Sequence, residues 1–574
     1  MGLEEDSHRS MMSYLRQADE TFRNGFETEE MKQIFLKNTF EGISGSEISF
    51  CMQKSFSFVL EQMIKESEFE TVLNFYFTIK NDWLQIANNQ AGCHVLQAAA
   101  ECLVRSLPKS KTLSTDVADK LSSFNDIIDI SAESLCSVME GIHSTHALRS
   151  HVQMLGGFVL SRTKASSKTK EVKLPKENVP KGYLKTLQTI CRCLCEINKQ
   201  KFVTYLSNPH VGPFISCLFE VVSKRDVPKT LRRLCKKIMS CSEGDTAKTT
   251  LLLLIKDKLA SHVLETVLEF GTEDAKKEIC DLLFEDNKRF FDLCAHPAAN
   301  FVIQRLITSA KNDVEFNKIF EFISCGLEDI LAGQNYGIVQ KLCEQCVQFT
   351  DSQKTFWDKL LEAFHCEDAN QRTFVVLFLA SLKTCDAYYK SDTQEEKLIP
   401  PIEKVEYHGS ILLQTLLKFK NVGLIVKSMC EISIENIITL SCDSSGSHFI
   451  DAFYASDKVK PKKKKEFVEK IGKELVSLAC DKYGSRVLEN IWDNSDIVIK
   501  RLIAGNLAQN SPQLSANDYG KFILKKFDIK NFTTRLQEWE QFQKKKSNKR
   551  KLFAGIASGT KHQKKKKINS FSNH

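Results

Sequence analysis

The stretch "CDKYGSRVLENIW", residues 480–492, follows "CDSSGSHFIDAFY", residues 442–454, at an offset of 38 residues. Both place Cys-Asp, then Gly-Ser, then a run that suits a helix, so the chain carries an internal repeat. A small residue, a polar one, a planar one and an apolar pair recur in "NQAGCHVLQ", "DKLASHVLE", "HPAANFVIQ" and "NDYGKFILK". The small residues serve as anchors at Gly92, Ala260, Ala299, Gly446, Gly484 and Gly520, with weaker anchors at Gly45, Ser144, Val211, Gly337 and Gly409. The steps 260 to 299, 299 to 337, 409 to 446, 446 to 484 and 484 to 520 span 39, 38, 37, 38 and 36 residues. The step from 337 to 409 is 72, two periods, which places a decayed unit near "QRTFVVLFLASLK". A period of this size implies a helical solenoid, in which each unit buries its apolar face against its neighbours.

Helical spacing divides every copy into two stripes. Val487, Leu488, Ile491 and Trp492 form an apolar stripe, and Ser485, Arg486, Glu489 and Asp493 a polar one. The same division sets Val302, Ile303, Leu306 and Ile307 against Asn300, Phe301 and Gln304. The second position after the anchor holds His94, His146, His262, Phe301, His448 and Phe522, with Arg486 in a seventh unit. His and Phe together make up under a tenth of the chain, 13 and 38 of 574 residues, so this row is not chance. A Phe at helical spacing is usually core, yet Phe301 and Phe522 fall off the apolar stripe. Exposed planar side chains spaced one unit apart suit stacking against splayed-out bases. The first and fifth positions lie one helical turn apart and can meet one base edge: Cys93 with Gln97, Ser261 with Glu265, Asn300 with Gln304, Ser447 with Asp451, Ser485 with Glu489, and Lys521 with Lys525.

Composition agrees with a repeat array. The chain has 574 residues and 42% hydrophobic content, more than one core usually serves. Its opening "MGLEEDSHRS" lacks the order of a secretory leader, and Asp6 stands where myristoylation wants Ser or Thr. No uncharged apolar run approaches a membrane span. The 20 cysteines are therefore expected mostly reduced, in an intracellular protein with no membrane association. Residues 544–574 hold eleven Lys or Arg and no Asp or Glu, more than the net charge of +8, so the rest is mildly acidic. That segment reads as a disordered basic tail, an import signal or a nucleic-acid arm. The run "KPKKKK", residues 460–465, falls between two units, as a solvated loop or a phosphate contact. Residues 161–182, polar and Lys-rich, read as a flexible insertion.

Catalytic signals are thin. There is no phosphate-binding glycine loop and no "HExxH" pair. Cys191, Cys193 and Cys195 alternate in a helical segment, where alternate residues diverge, so no metal site is expected. His143, His146 and His151 lack a nucleophile beside them. Neither catalysis nor a cofactor is expected.

The units resemble Pumilio (Puf) repeats, and their order resembles that of the nucleolar protein 9 family. The resemblance rests most on "HPAANFVIQRL", "LLEAFHC", "SGSHFIDAF", "YGSRVLENIWD" and the closing "EWEQFQKKKSNKRK". It implies an all-α fold, an α-solenoid of about eleven Pumilio-like helical repeats, some degenerate, curved or U-shaped. It implies that the first and fifth residues read a base edge while the second stacks. Asn300 with Gln304 would then favour uracil, Ser261 with Glu265 and Ser485 with Glu489 guanine, and Cys93 with Gln97 adenine. The units at Gly337, followed by Ile338, Val339 and Leu342, and at Val211, followed by Gly212, Pro213 and Ser216, depart from the pattern. So does the unit at Gly45, which puts Glu47 in the stacking slot.

The resemblance further implies binding to precursor ribosomal RNA, single-stranded and structured, within small-subunit pre-ribosomal particles of the nucleolus. Its role would be in small-subunit rRNA maturation, restraining premature cleavage near the 3′ end. A protein-binding scaffold of HEAT or armadillo type is the alternative, which the planar row disfavours. A monomer is expected. The domain layout is then an N-terminal segment (1–30), repeats over 31–160, the insertion at 161–182, repeats over 183–543, and the tail from 544 to 574.

Overall fold

A turn closed by its own side chain opens most units. Asp481 accepts hydrogen bonds from the backbone N–H groups of Tyr483 (2.8 Å) and Gly484 (2.7 Å). Asn89, Asn208, Asp257 and Asp443 bind the N–H groups two and three residues on in the same way. These acceptors take up N–H groups that the first turn of a helix leaves unpaired. The helix then begins at the small residue for a steric reason. A Cβ on Gly484 would lie 2.8 Å from the Leu478 carbonyl oxygen, one on Gly446 2.4 Å from that of Leu440, and one on Gly92 2.5 Å from that of Ile86. In each case the carbonyl belongs to the residue six positions back. Ser144 meets the same constraint differently, since its hydroxyl donates to the Val138 carbonyl at 2.7 Å.

The computed structural model describes residues 2–107, 115–122, 131–161, 170–175, 178–240, 245–389 and 401–546. They fall into two units, Met1–Ser309 and Ala310–His574. In the first, six helices pack side by side in chain order: α1 (Lys54–Glu66), α2 (Gly92–Arg105), α3 (Ile142–Leu155), α4 (Val211–Lys224), α5 (Ala260–Phe270) and α6 (Ala299–Ser309). In the second, five do so: α7 (Tyr336–Gln348), α8 (Tyr407–Leu416), α9 (Gly446–Ala455), α10 (Gly484–Asp493) and α11 (Asp518–Lys526). Further helices precede and follow the row helices, as expected of an all-α solenoid. The apolar stripes are the core, with Val487, Leu488, Ile491 and Trp492 all at most 2% exposed.

The structure corrects the register of two units and the count between two others. On α1 the buried pairs are Val59 with Leu60 and Met63 with Ile64, so the anchor is Phe56, not Gly45, and Ser57, Phe58 and Glu61 take the first, second and fifth positions. Glu47, placed by sequence in the stacking slot, is buried at 8% exposure in a separate short helix, Glu47–Met52. A single residue, Gln53, joins that helix to α1, which begins two residues ahead of Phe56 rather than at the anchor. On α7, Ile338, Val339, Leu342 and Cys343 are buried, which moves the anchor from Gly337 to Asn335. The preceding turn passes through Gln334 at φ +58°. There is also no decayed unit near "QRTFVVLFLASLK", because α7 packs directly on α8. Val375–Ser381 from that segment is instead a short helix packed on α8, and a Cβ on Gly409 would meet its Leu379 carbonyl oxygen at 2.2 Å.

The flanks of the insertion are not featureless. Phe158–Ser161 (β1) and Lys170–Lys173 (β2) pair antiparallel, with Phe158 opposite Lys173 and Ser161 opposite Lys170; residues 162–169 and 176–177 lie outside the described residues. Arg225, 5% exposed, holds the root of this hairpin. Its guanidinium donates to the carbonyls of Gly156, Gly157 (3.1 Å) and Leu174 (3.0 Å) and lies 4.4 Å from the Phe158 ring centroid. Arg225→Met keeps the volume and removes the donors, so the Gly156 and Leu174 carbonyls lose this partner while Gly157 keeps the Leu174 N–H, at a cost of about 1–3 kcal/mol. Urea unfolding reads this loss; an unchanged midpoint would show that the guanidinium holds nothing.

At the C-terminal end, 536–546 is helical, so the basic tail cannot begin as an irregular segment at 544. Residues 547–574 lie outside the described residues. The "KPKKKK" lysines are not in a loop either, because Pro461–Lys470 is a helix. There Lys463 pairs with Glu466 (2.6 Å) and Lys465 with Glu469 (3.4 Å). This helix packs between Gly423–Glu431 and Ile497–Gln509, helices that follow the row helices α8 and α10.

Candidate nucleic-acid interface

The second position stands out from its surroundings by exposure. His94, His262, Phe301, His448, Arg486 and Phe522 are exposed while the residues immediately beyond them are buried, and His146 is half-buried. Phe301 is 49% and Phe522 55% exposed, where apolar rings on a helix ordinarily pack. The corrected register adds Phe58, 55% exposed, on α1. Sequence reading missed it because its anchor, Phe56, is not small. Its signal was the pair Ser57 and Glu61, which repeats Ser261 with Glu265 and Ser485 with Glu489.

The first position differs from expectation. Cys93, Ser261, Ser447 and Ser485 are buried, at 2 to 6% exposure. Each donates weakly to the carbonyl three residues back, at 3.3 Å for Cys93, Ser447 and Ser485 and 3.4 Å for Ser261. The cause is position, since a short side chain in the first turn of the helix sits against the turn that precedes it. Asn300 is half-buried and Lys521 exposed. The fifth positions Gln97, Glu265, Gln304, Asp451 and Glu489 are half-exposed, and Lys525 is exposed.

First and fifth residues do meet where their side chains are long enough. Gln304 Nε2 donates to Asn300 Oδ1 at 3.0 Å. On α8, Gln414 Nε2 donates to Ser410 Oγ at 3.1 Å, a pair that sequence reading did not single out. On α7 the corrected register leaves Gly337 at the second position, so that unit offers no stacking side chain.

Acidic groups on this face are mostly balanced. Glu265 accepts from His262 (2.9 Å) and lies 3.8 Å from Arg305, which also pairs with Glu269 at 3.0 Å. Glu489 pairs with Lys526 of α11 at 2.6 Å. Lys521 lies 3.5 Å from Asp518, while Lys525 and Lys530 are exposed. Asp451 differs, because its Oδ1 is buried without a hydrogen-bond partner. Burial pushes its carboxyl up to about 6, against a smaller opposing pull from His448.

The sign of the Asp451 effect follows from linkage. A folded-state pKa above the unfolded one means that the folded chain binds more protons, so stability falls as pH rises from about 4 to 6. Asp451→Asn removes that penalty. We expect the variant to be more stable than wild type at pH 7.5 and no more stable at pH 4, read by thermal unfolding at both. Equal shifts at the two pH values would rule out the carboxyl as the cause.

Cys191, Cys193 and Cys195 lie on the helix Lys181–Glu196, the first two buried. Among the described residues no group of three or more His, Cys, Asp or Glu is placed to hold a metal ion. Among them, too, no helix is long and apolar enough to cross a membrane.

The model of the NOP9-like PUF repeat domain matches residues 45–522. The chain is 25% identical over 582 residues to Nucleolar protein 9 of Mus musculus, covering 95% of this chain and 90% of that one. It is 23% identical over 551 residues to Pumilio homolog 23 of Arabidopsis thaliana, covering 92% and 71%. The solved structure of APUM23-GGAAUUGACGG shares the fold with a TM-score of 0.71 at 20% identity, over 93% of this chain and 99% of that one. With its row helices, its side-chain-closed turns and a family match over most of its length, the chain belongs to the NOP9-like PUF repeat family of RNA-binding α-solenoids.

Proposed function

We propose that this protein binds precursor ribosomal RNA in the nucleolus and acts in small-subunit ribosome maturation. The row of exposed planar side chains carries this reading, because a ring left in water beside a buried stripe gains by stacking on a base, and every base offers a π-face. Phe58, His94, His262, Phe301, His448, Arg486 and Phe522 are the stacking groups; His146 is half-buried against His210 and is left out of the row. The fifth-position residues, with Asn300, Lys521 and the small buried residues of the first position, meet the base edges. Bases splayed between successive units require single-stranded segments, while the neighbouring structured RNA contacts the surface through its backbone. The relatives' name, Nucleolar protein 9, supports the location.

The mechanism is occupancy. RNA held along the row is shielded from a nuclease until the protein leaves, which restrains premature cleavage near the 3′ end of the small-subunit RNA. No group of the protein is asked to perform chemistry.

The experiment that tests this reading compares Phe58→Ala with Glu47→Ala in binding to single-stranded precursor-rRNA fragments, with duplex DNA as control. We expect Phe58→Ala to weaken binding by roughly 1–3 kcal/mol, the worth of one stacked base, and Glu47→Ala to leave it unchanged. If wild type binds the RNA no better than the duplex, the RNA reading fails.

A further inference from the structure

The unit of α4 cannot hold a base by stacking, because Gly212, Pro213 and Ser216 occupy its first, second and fifth positions. What stands beside it is a cluster of nitrogen donors. The His146 ring of α3 lies edge-on to that of His210, just before α4, with centroids 6.2 Å apart and planes at 68°. Arg149, at the fifth position of α3, brings Nη2 to 3.1 Å from His146 Nδ1. A guanidinium can only donate, so His146 Nδ1 accepts and the ring proton resides on Nε2. Arg149 is thereby turned toward the cluster and keeps further N–H groups and its permanent charge.

The charges acting on His146 are Arg149 and His143 of its own helix, His94 of α2, and His210. All are cations or can become so. Burial and these neighbours hold His146 below the usual histidine range, so in the absence of an anion the cluster rests with His146 neutral. Donors without a carboxylate among them, beside a position that has lost its base-reading side chains, match one group on an RNA strand.

We propose that His146, Arg149 and His210 form a phosphate clamp that grips the RNA backbone where it passes the mute unit of α4. The inference rests on the RNA reading above and adds to it a site that reads no base. The phosphodiester accepts from Arg149, from the Nε2–H of His146 and from the His210 ring.

The test uses the full chain and a single-stranded RNA that wild type binds. For Arg149→Gln with His210→Asn, we expect binding at low salt weaker by roughly tenfold, and a slope of log affinity against log salt reduced by about 0.7 per phosphate lost. Replacing successive linkages of the RNA with neutral methylphosphonate should find one position that weakens wild type and leaves the variant unaffected. If folded variants keep the wild-type salt slope, or no linkage discriminates them, the clamp is wrong while the stacking row stands. If wild type binds no RNA, the RNA reading falls and takes the clamp with it.

Discussion

Alanine at His262, Phe301 and His448 together lowers affinity for single-stranded RNA by several kcal/mol, since each stacked base is worth roughly 1–3 kcal/mol. The variant should stay folded. The His262 side chain is 66% exposed and the Phe301 residue 49%, and His448 is also exposed; surface substitutions of this kind shift stability within about 0.5 kcal/mol. Loss of His262 frees one oxygen of Glu265, which remains near Arg305 at 3.8 Å. Circular dichroism checks the fold, and titration at two salt concentrations separates stacking from charge. Stacking loss persists at high salt, whereas loss of a phosphate contact fades there. Should the triple variant bind as wild type does, with only removal of residues 547–574 weakening it, binding belongs to the basic segment and the row is idle.

Trp492→Ala carries the largest expected effect on stability. Its indole lies flat on Phe527, with ring centroids 3.9 Å apart and planes at 8°, and meets Trp539 edge-on at 5.9 Å. Trp539, 1% exposed, donates from Nε1 to the Phe527 carbonyl at 2.9 Å and so closes the C-terminal end of the row. Removing the central indole leaves a cavity that both neighbours line, at a cost of about 3–5 kcal/mol. Because row helices touch only their neighbours, the damage should stay near α10 and α11. Hydrogen exchange of those helices should speed while α8 keeps its protection. Uniform loss of protection through the second unit would instead mean that it unfolds as one cooperative block.

The sequence exposed the parts of the fold that local chemistry dictates. A four-residue turn closed by Asp or Asn, followed by a residue with no room for a side chain, leaves Asp481 to Gly484 and Asp443 to Gly446 plain to read. Phe56 was illegible for the same reason. Its helix is reached through the single residue Gln53, so neither the acceptor nor the small anchor is needed, and Gly45 drew the register eleven residues away. At α7 a left-handed Gln334 makes the turn, and Gly337 passed for an anchor although it lies two residues too far along.

The 74 residues between Asn335 and Gly409 look like two periods in the sequence, yet hold one row helix and an enlarged connection. Exposure of the planar row followed from periodicity. Burial of Cys93, Ser261, Ser447 and Ser485 did not, because polarity alone does not tell a surface residue from one satisfied by its own backbone. The proximity of His146 and His210, far apart in sequence, required the packing of α3 on α4.

The nearest-neighbour stacking of the row helices has a mechanical side. Within each compact unit an inner row helix is held by the two beside it, so thermal opening starts at the ends of a row and travels inward like a zipper. A strand bound across several units acts as a splint, tying together helices that never touch one another. Longer RNA should therefore raise the melting temperature in steps that track the number of units spanned, and a strand that falls short of an end leaves that end free to fray.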